Sequence, residues 1–236
     1  MTIDSPPPGL PAASAPPSAR TRIRRIPDNA RYDAATVHAI IDAALVCHVA
    51  FTDPAGVHCI PTACWRMGEH LYVHGSNGSR MLKVLQSEHG AAVTITHLDG
   101  LVLARSAFNH SMNYRSLVIY GHFEIVPEPG KSAALAAFLD HLLAGRQAEV
   151  RPGNAKELAA TTVLRIGLDE AAAKVHAGPP EDDDEDMAWP VWAGVLPLQL
   201  SPQAPVRDAA CSTAEPEYVR RWTERSFAPP EEPPAG

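Results

Sequence analysis

The segment Leu71-Tyr-Val-His-Gly-Ser-Asn-Gly-Ser-Arg80-Met-Leu-Lys83 passes from an apolar, β-type run through a Gly/Ser loop into a helix start bearing two cations. Unpaired N–H groups at a helix N-terminus, together with the helix dipole, attract anions. Gly75 and Gly78 let a backbone approach a ligand closely. Ser76 and Ser79 offer hydroxyl donors, and Arg80 and Lys83 supply charge. The chemistry indicated is phosphate binding. The spacing is neither a Walker loop nor G-x-G-x-x-G, and a plain strand–turn–helix with a serine cap would read the same way.

A second polar cluster, Asn109-His-Ser-Met-Asn-Tyr-Arg-Ser116, precedes a long apolar run. It is dense in hydrogen-bond donors and fits a groove edge or a polar loop. Among the eleven histidines the one H-x-x-x-H pair, His70 and His74, falls on a β-type run rather than a helix, and no C-x-x-C motif accompanies it, so no metal site is expected. Cys59 and Cys64 point to different faces of one strand, and no G-x-S-x-G elbow is present. Cys64 reads as a packed thiol rather than a nucleophile.

These residues need a scaffold. Residues 33–44 place Val37, Ile40, Ile41 and Ala44 on one helical stripe behind a capping Asp33. Residues 47–52 and 57–65 alternate around Asp53-Pro-Ala-Gly56, a hairpin turn. Residues 71–74 form a third strand and 79–87 a short helix. Residues 91–97 and 101–105 are expected to pair across an Asp99-Gly100 turn. Residues 117–126 are expected to be the longest strand, with Leu117, Ile119, Phe123 and Ile125 on one face and Gly121 allowing a bend. Residues 131–143 read as a helix and 161–168 as a closing strand. Six or seven short strands with peripheral helices predict a mainly β fold, a closed antiparallel barrel.

Composition narrows the function. The net charge of −7 over 236 residues falls almost entirely on the acidic run 181–186, so the remainder is nearly neutral. A broad nucleic-acid face would need a surface excess of Lys and Arg. The acidic run reads as a solvated loop. Six of the 23 prolines lie in residues 1–20 and seven in 200–236. Residues 1–25 and 201–236 are therefore expected to be tails around a domain at 26–200. Four cysteines suit reduced thiols, and no apolar run approaches a bilayer span. With no hydrophobic leader, a cytoplasmic protein with no membrane or nucleic-acid partner is expected.

Five motifs in register carry a resemblance: Ile60-Pro-Thr; Leu71-Tyr-Val-His-Gly-Ser; the Ser79-Arg80 that follows; Asn113-Tyr-Arg-Ser-Leu-Val-Ile-Tyr-Gly121; and Trp192-Ala-Gly-Val-Leu-Pro197. Over residues 26–200 the chain resembles the pyridoxamine 5′-phosphate oxidase-related, FMN-binding split-barrel proteins. The branch is that of the flavin-nucleotide-binding, 5-nitroimidazole-resistance (Nim-like) proteins. The resemblance implies a six-stranded antiparallel split barrel that forms a homodimer, with FMN in a groove between subunits. It would set Ile60, Pro61 and Thr62 beside the isoalloxazine ring, and His74, Gly75, Ser76, Ser79, Arg80 and Lys83 around the phosphate. Asn113, Tyr114, Arg115 and Ser116 would border the groove, and Trp192 would reach it from the C-terminal segment across the dimer. His74 would be the candidate catalytic residue. The implied activity is an oxidoreductase reducing a small organic substrate with NAD(P)H. The alternatives are a flavin-binding module without turnover, or a relative binding haem or another flavin. A basic C-terminal substrate motif has no counterpart here, which argues against vitamin B6 oxidation.

Overall fold

The structure is a computed structural model that describes residues 15–87 and 89–227. Its strands are β1 (Ala30–Arg31), β2 (Val46–Asp53), β3 (Gly56–Ala63), β4 (Trp65–Met67), β5 (His70–Ser76), β6 (Ala91–Leu103), β7 (Ser111–Gly121), β8 (Glu124–Ile125), β9 (Thr161–Gly167), β10 (Ala171–His176) and β11 (Gly194–Pro197). The α-helices are α1 (Ala34–Asp42), α2 (Arg80–Leu85), α3 (Gly130–Leu142), α4 (Ala155–Ala160) and α5 (Glu217–Arg220).

The strands make two antiparallel sheets. The large one runs β1-β10-β7-β6-β2-β3, with β11 also paired to β6; the small one runs β4-β5-β9-β8. The chain crosses between them at buried Cys64 and again between Gly121 and Glu124. Alternation along each strand puts apolar side chains between the sheets. Cys47, Val49 and Phe51 of β2 meet Val93 and Ile95 of β6, Leu117 and Ile119 of β7, Leu71 and Val73 of β5, and Leu164 and Ile166 of β9. Ile40 and Ile41 of α1, with Leu82 and Leu85 of α2, complete this core. The Asp33 side chain accepts from the Thr36 N–H at 2.8 Å, the cap expected for α1. A second cluster forms on the other face of the small sheet, where Trp65, Tyr72, Val126 and Val163 pack against Ala134 and Phe138 of α3.

Several expectations are corrected. Residues 91–105 do not fold back at Asp99-Gly100. β6 is one strand of 13 residues, the longest in the fold, and β7 pairs it along both halves. A register shift between Leu98 and Gly100 absorbs the extra residue as a bulge. A Cβ on Gly100 would meet Val195 Cγ1 at 3.1 Å and the Leu196 carbonyl oxygen at 3.2 Å, so this glycine admits β11 rather than a turn. The run 117–126 is divided between β7 and β8, and Ile125 is exposed rather than sharing the buried face of Phe123. Strand β10 was hidden in Ala171-Ala-Ala, where alanine gives a weak β signal although all three are buried.

Parts of both segments expected as tails pack on the barrel. Arg20 pairs with Glu170 and lies over the Tyr120 ring at 5.0 Å, and Thr21 is buried. Residues 1–14 lie outside the described residues. At the other end Arg225 donates to the carbonyls of Leu142 at 2.6 Å and His141 at 3.1 Å, and Phe227 is buried. Within the acidic run, Asp182 is no free surface charge. It accepts from the Arg105 and Ser106 N–H groups at 2.7 and 3.2 Å and pairs with the Arg105 guanidinium at 3.0 Å. Burial pushes its pKa up, and these donors outweigh burial and hold it down.

The docked C-terminal segment has a measurable consequence. Phe227→Ala is expected to destabilise the fold by about 3 kcal/mol, as removal of a buried phenyl ring does. At roughly 2–4 °C per kcal/mol for a chain of this size, the melting midpoint drops by about 6–12 °C. A midpoint within about 1 °C of the parent protein, read by calorimetry, would mean that the segment does not support the barrel.

Candidate functional site

The phosphate-type loop lies between β5 and α2. The Ser79 N–H donates to the Ser76 carbonyl at 2.9 Å, and the Gly78 N–H donates to Ser76 Oγ at 3.2 Å. Ser79 Oγ accepts from the Leu82 N–H at 3.4 Å and caps α2. Asn77 anchors the loop: its N–H donates to the Ala160 carbonyl at 3.0 Å, its Nδ2 to the Ala159 carbonyl at 2.7 Å, and its Oδ1 accepts from Thr162 at 2.8 Å. Ser76, Gly78, Arg80 and Lys83 are exposed. Gly75 lets Leu82 pack closely, since a Cβ there would meet Leu82 Cδ1 at 3.1 Å.

Arg80 reaches across to the β2–β3 hairpin. Its Nη2 lies 3.2 Å from His58 Nδ1, and its Nη1 lies 3.8 Å from Asp53 Oδ2. His58 Nε2 lies 2.8 Å from Asp53 Oδ1, which also accepts from the Ala55 N–H at 2.8 Å. The His58 hydrogen bond holds the Asp53 carboxyl below the usual range. Two residues beyond His58 on the same strand come Ile60, Pro61 and Thr62. Among the described residues β3 ends the large sheet and is paired only by β2. Its outward backbone N–H and C=O groups are thus open to a ligand, and Pro61 is tolerated because an edge strand need not donate there. Pro61 is exposed, while Ile60 packs against the core. The Arg80 contacts thus set the loop that carries Ser76, Ser79, Arg80 and Lys83 against the β2–β3 hairpin, whose second strand carries Ile60, Pro61 and Thr62. The hydrogen-bonded Asp53 and His58 join them.

His74 is placed differently. Its ring packs 4.7 Å from Phe138 and 5.5 Å from Trp65, centroid to centroid, under α3. It is on the same face of β5 as Tyr72, away from the core. His74 Nδ1 and Trp65 Nε1 are buried with no hydrogen-bond partner. Burial lowers the His74 pKa. Burial also lowers that of His97, against a hydrogen bond from its Nε2 to the Ile40 carbonyl at 3.0 Å. Both rings therefore bind protons less readily in the fold than in the unfolded chain, where the ordinary value is 6.5. The sign follows: their contribution is complete above pH 6.5 and is lost as pH falls below it. Urea midpoints at about pH 5 and about pH 7.5 are expected to differ, with the acid one lower, and His74→Phe should reduce that difference. An equal difference in the variant would remove His74 from the account.

The remaining predicted residues are not gathered with these in one chain. Asn113, Tyr114, Arg115 and Ser116 belong to β7, three strand spacings or about 14 Å from β3 across the sheet. Arg115 is opposite His97, whereas Phe51, beside His58, is on a level with the other end of β6. Arg115 is buried and forms a two-pronged ion pair with Asp99, at 2.9 and 2.8 Å. Asn113 Nδ2 donates to the Gly178 carbonyl at 3.1 Å, Tyr114 stacks on His176, and Ser116 Oγ donates to the Lys174 carbonyl at 3.2 Å. These contacts stitch β7 to β10 and to the chain beyond it. A separate cleft of about 420 Å³ lies here, lined by His97, Asp99, Arg115, Leu198, Leu200 and Phe227 among others. Trp192 is 63% exposed on this chain, and neighbouring Trp189 and Val191 are exposed as well. Its ring folds over Gly194, where a Cβ would meet it at 2.9 Å.

Sequence reasoning missed Asp53 and His58 as site residues. Asp53-Pro-Ala-Gly56 reads as a turn, and nothing local says that the turn leans on Arg80 across 22 residues. Among the described residues, no group of three or more His, Cys, Asp or Glu could hold a metal ion. No helix there is long and apolar enough to cross a membrane.

Two antiparallel sheets that share one core and part where the chain crosses at Cys64 define a split barrel. The chain belongs to the pyridoxamine 5′-phosphate oxidase family, whose family model matches residues 33–175. It is similar to the flavocytochrome Anf3 from Azotobacter vinelandii, at 39% identity and a TM-score of 0.84, over 90% of this chain and 99% of that one. It is also similar to an FAD- and haem-binding protein from Mycobacterium smegmatis, at 36% identity and a TM-score of 0.79, over 83% of this chain and 97% of that one. A protein from Bacteroides thetaiotaomicron proposed to confer 5-nitroimidazole resistance shares the fold, at 21% identity and a TM-score of 0.51, over 61% of this chain and 84% of that one. No curated protein sequence matches the chain.

Proposed function

We propose that the chain binds a flavin, with its phosphate end at Arg80, Ser76 and Lys83 and its ring along the open edge of β3, and acts as a flavin-dependent oxidoreductase. The observation that carries this reading is the Arg80–His58 contact, which brings a cation-bearing Gly/Ser loop against an unpaired strand edge. The donor set fits the group: a guanidinium 60% exposed, hydroxyl donors, and free backbone groups for a heteroaromatic rim. When bound, the flavin supplies the hydride and electron transfer, and the chain holds and orients it. The relative named for FAD supports the dinucleotide over the FMN expected from the wider family. NAD(P)H as electron donor and a small organic molecule as substrate complete the proposal. The four free cysteines suit a cytoplasmic setting.

A homodimer is part of the same proposal. Trp189, Val191, Trp192, Leu196, Leu198 and Leu200 leave an apolar strip exposed on one chain. Such strips mark interaction sites, and aromatic anchors often centre them. Trp192→Ala is expected to shift the dimer towards monomer and to lower flavin affinity, read by light scattering and fluorescence titration. A wild-type monomer fully loaded with flavin would end the shared-groove picture.

Haem binding is the second reading. It is supported by the names of the two relatives and by the unpaired, buried His74 Nδ1 between aromatic rings. A neutral imidazole with a free ring nitrogen is a ready axial ligand. The visible spectrum of the purified protein tests both readings, since a flavin and a Soret band are readily told apart. His74→Ala should remove the Soret band while leaving the flavin bands.

A further inference from the structure

We infer that His58 is the positioning residue of the anion site, holding Arg80 in the orientation that meets the flavin phosphate. The inference rests on the flavin reading above. A guanidinium has donors only, so in the 3.2 Å contact His58 Nδ1 must accept from Arg80 Nη2. The ring proton is then on Nε2, which donates to Asp53 Oδ1 at 2.8 Å. Asp53 thereby fixes the tautomer that can receive Arg80. Asp53 itself is fixed: its side chain is 9% exposed and accepts from the Ala55 N–H. The His58 ring is further held against Phe51, 5.1 Å between centroids. The order thus runs from the hairpin turn through Asp53 and His58 to Arg80.

The arrangement leaves Arg80 competent for an anion. Only one of its N–H groups is within hydrogen-bond distance of His58. The Asp53 carboxylate, at 3.8 Å from Nη1, is too far to consume a second. The side chain stays 60% exposed. A free surface arginine has many rotamers, and ordering one on binding weakens affinity. Here that ordering is already done in the ligand-free chain. The same contact ties β3, beneath the proposed ring position, to the loop beneath the proposed phosphate, so the distance between the two halves of the site is set by His58. Lys83, exposed one turn further along α2, has no such tether and serves as the internal contrast.

A double-mutant cycle on the full-length protein tests this, with FAD and FMN as titrants of the flavin-free form and fluorescence as the readout. The four proteins are wild type, His58→Phe, Arg80→Ala and the double variant. Phenylalanine keeps the packing on Phe51 and removes the acceptor. His58→Phe is expected to weaken flavin binding about three- to tenfold, the effect of ordering one long side chain on binding. In the Arg80→Ala background the same change should have no effect, because His58 acts only through Arg80. His58→Gln, which retains an acceptor, should recover part of the affinity, and it carries the cycle if the phenylalanine variant does not fold. Additive effects, or an unchanged affinity in His58→Phe beside a weakened Arg80→Ala, would overturn the positioning role alone. An unchanged affinity in Arg80→Ala would overturn the phosphate assignment, and the inference with it.

Discussion

Arg80→Ala is expected to lower flavin affinity roughly ten- to a hundredfold, the loss of one charge-assisted phosphate contact. Lys83→Ala should cost less, because its ammonium is exposed and untethered at the far end of α2, and the double variant should be weaker than either. The geometry sets the order. Arg80 is held at the meeting of loop and strand edge, while Lys83 acts as a point charge that salt screens. The affinity of the Lys83→Ala protein should accordingly depend less on ionic strength than that of wild type. Fluorescence titration at two salt concentrations checks both statements. Equal affinities for wild type and the double variant would remove the phosphate from this loop.

Asp99→Ala has the largest expected effect on stability. It leaves the Arg115 guanidinium buried and without its two-pronged partner. Removing one member of a buried ion pair costs about 3 kcal/mol or more, most of it the desolvated charge left behind. The melting midpoint should fall by about 6–12 °C or more. Because Asp99 is the bulged residue between β6 and β7, its loss should also loosen the pairing beyond Leu98, where β11 attaches. Hydrogen exchange should then quicken along 100–103 and 194–197 before the rest of the sheet. A variant as stable as wild type would mean that the pair contributes nothing net. Replacing both Asp99 and Arg115 by apolar residues should restore much of the loss, since such pairs are often matched by well-packed hydrophobic side chains.

The sequence carried the elements whose patterning is local. The stripe of Val37, Ile40, Ile41 and Ala44, the alternation of Cys47, Val49 and Phe51, and the serine cap of α2 all lie where periodicity places them. The failures have one physical source, a long-range partner that overrides a local signal. Asp99-Gly100 has turn residues, but β7 runs past it and Arg115 seizes the carboxylate, so a bulge forms. Ala171-Ala-Ala has little strand propensity, yet β7 and the core impose one. The proline-rich end looks unable to pack, but Arg225 finds the end of α3 and Phe227 is buried beside Arg115. The same holds for the site. The loop around Arg80 was visible because its residues are contiguous. Asp53 and His58 were not, because their meaning depends on a contact between two hairpin ends and a helix start. The Arg115–Asp99 pair was hidden in the same way, because Asp99 reads as a turn residue.

The most direct test of the central claim is the chromophore that leaves the protein on denaturation. Protein purified without added cofactor is unfolded, and the supernatant is analysed by liquid chromatography and mass spectrometry. Flavin at close to one equivalent per chain, as FAD, is the predicted result. Material that releases no flavin, and that binds neither FAD nor FMN when each is titrated into the folded protein, would contradict it.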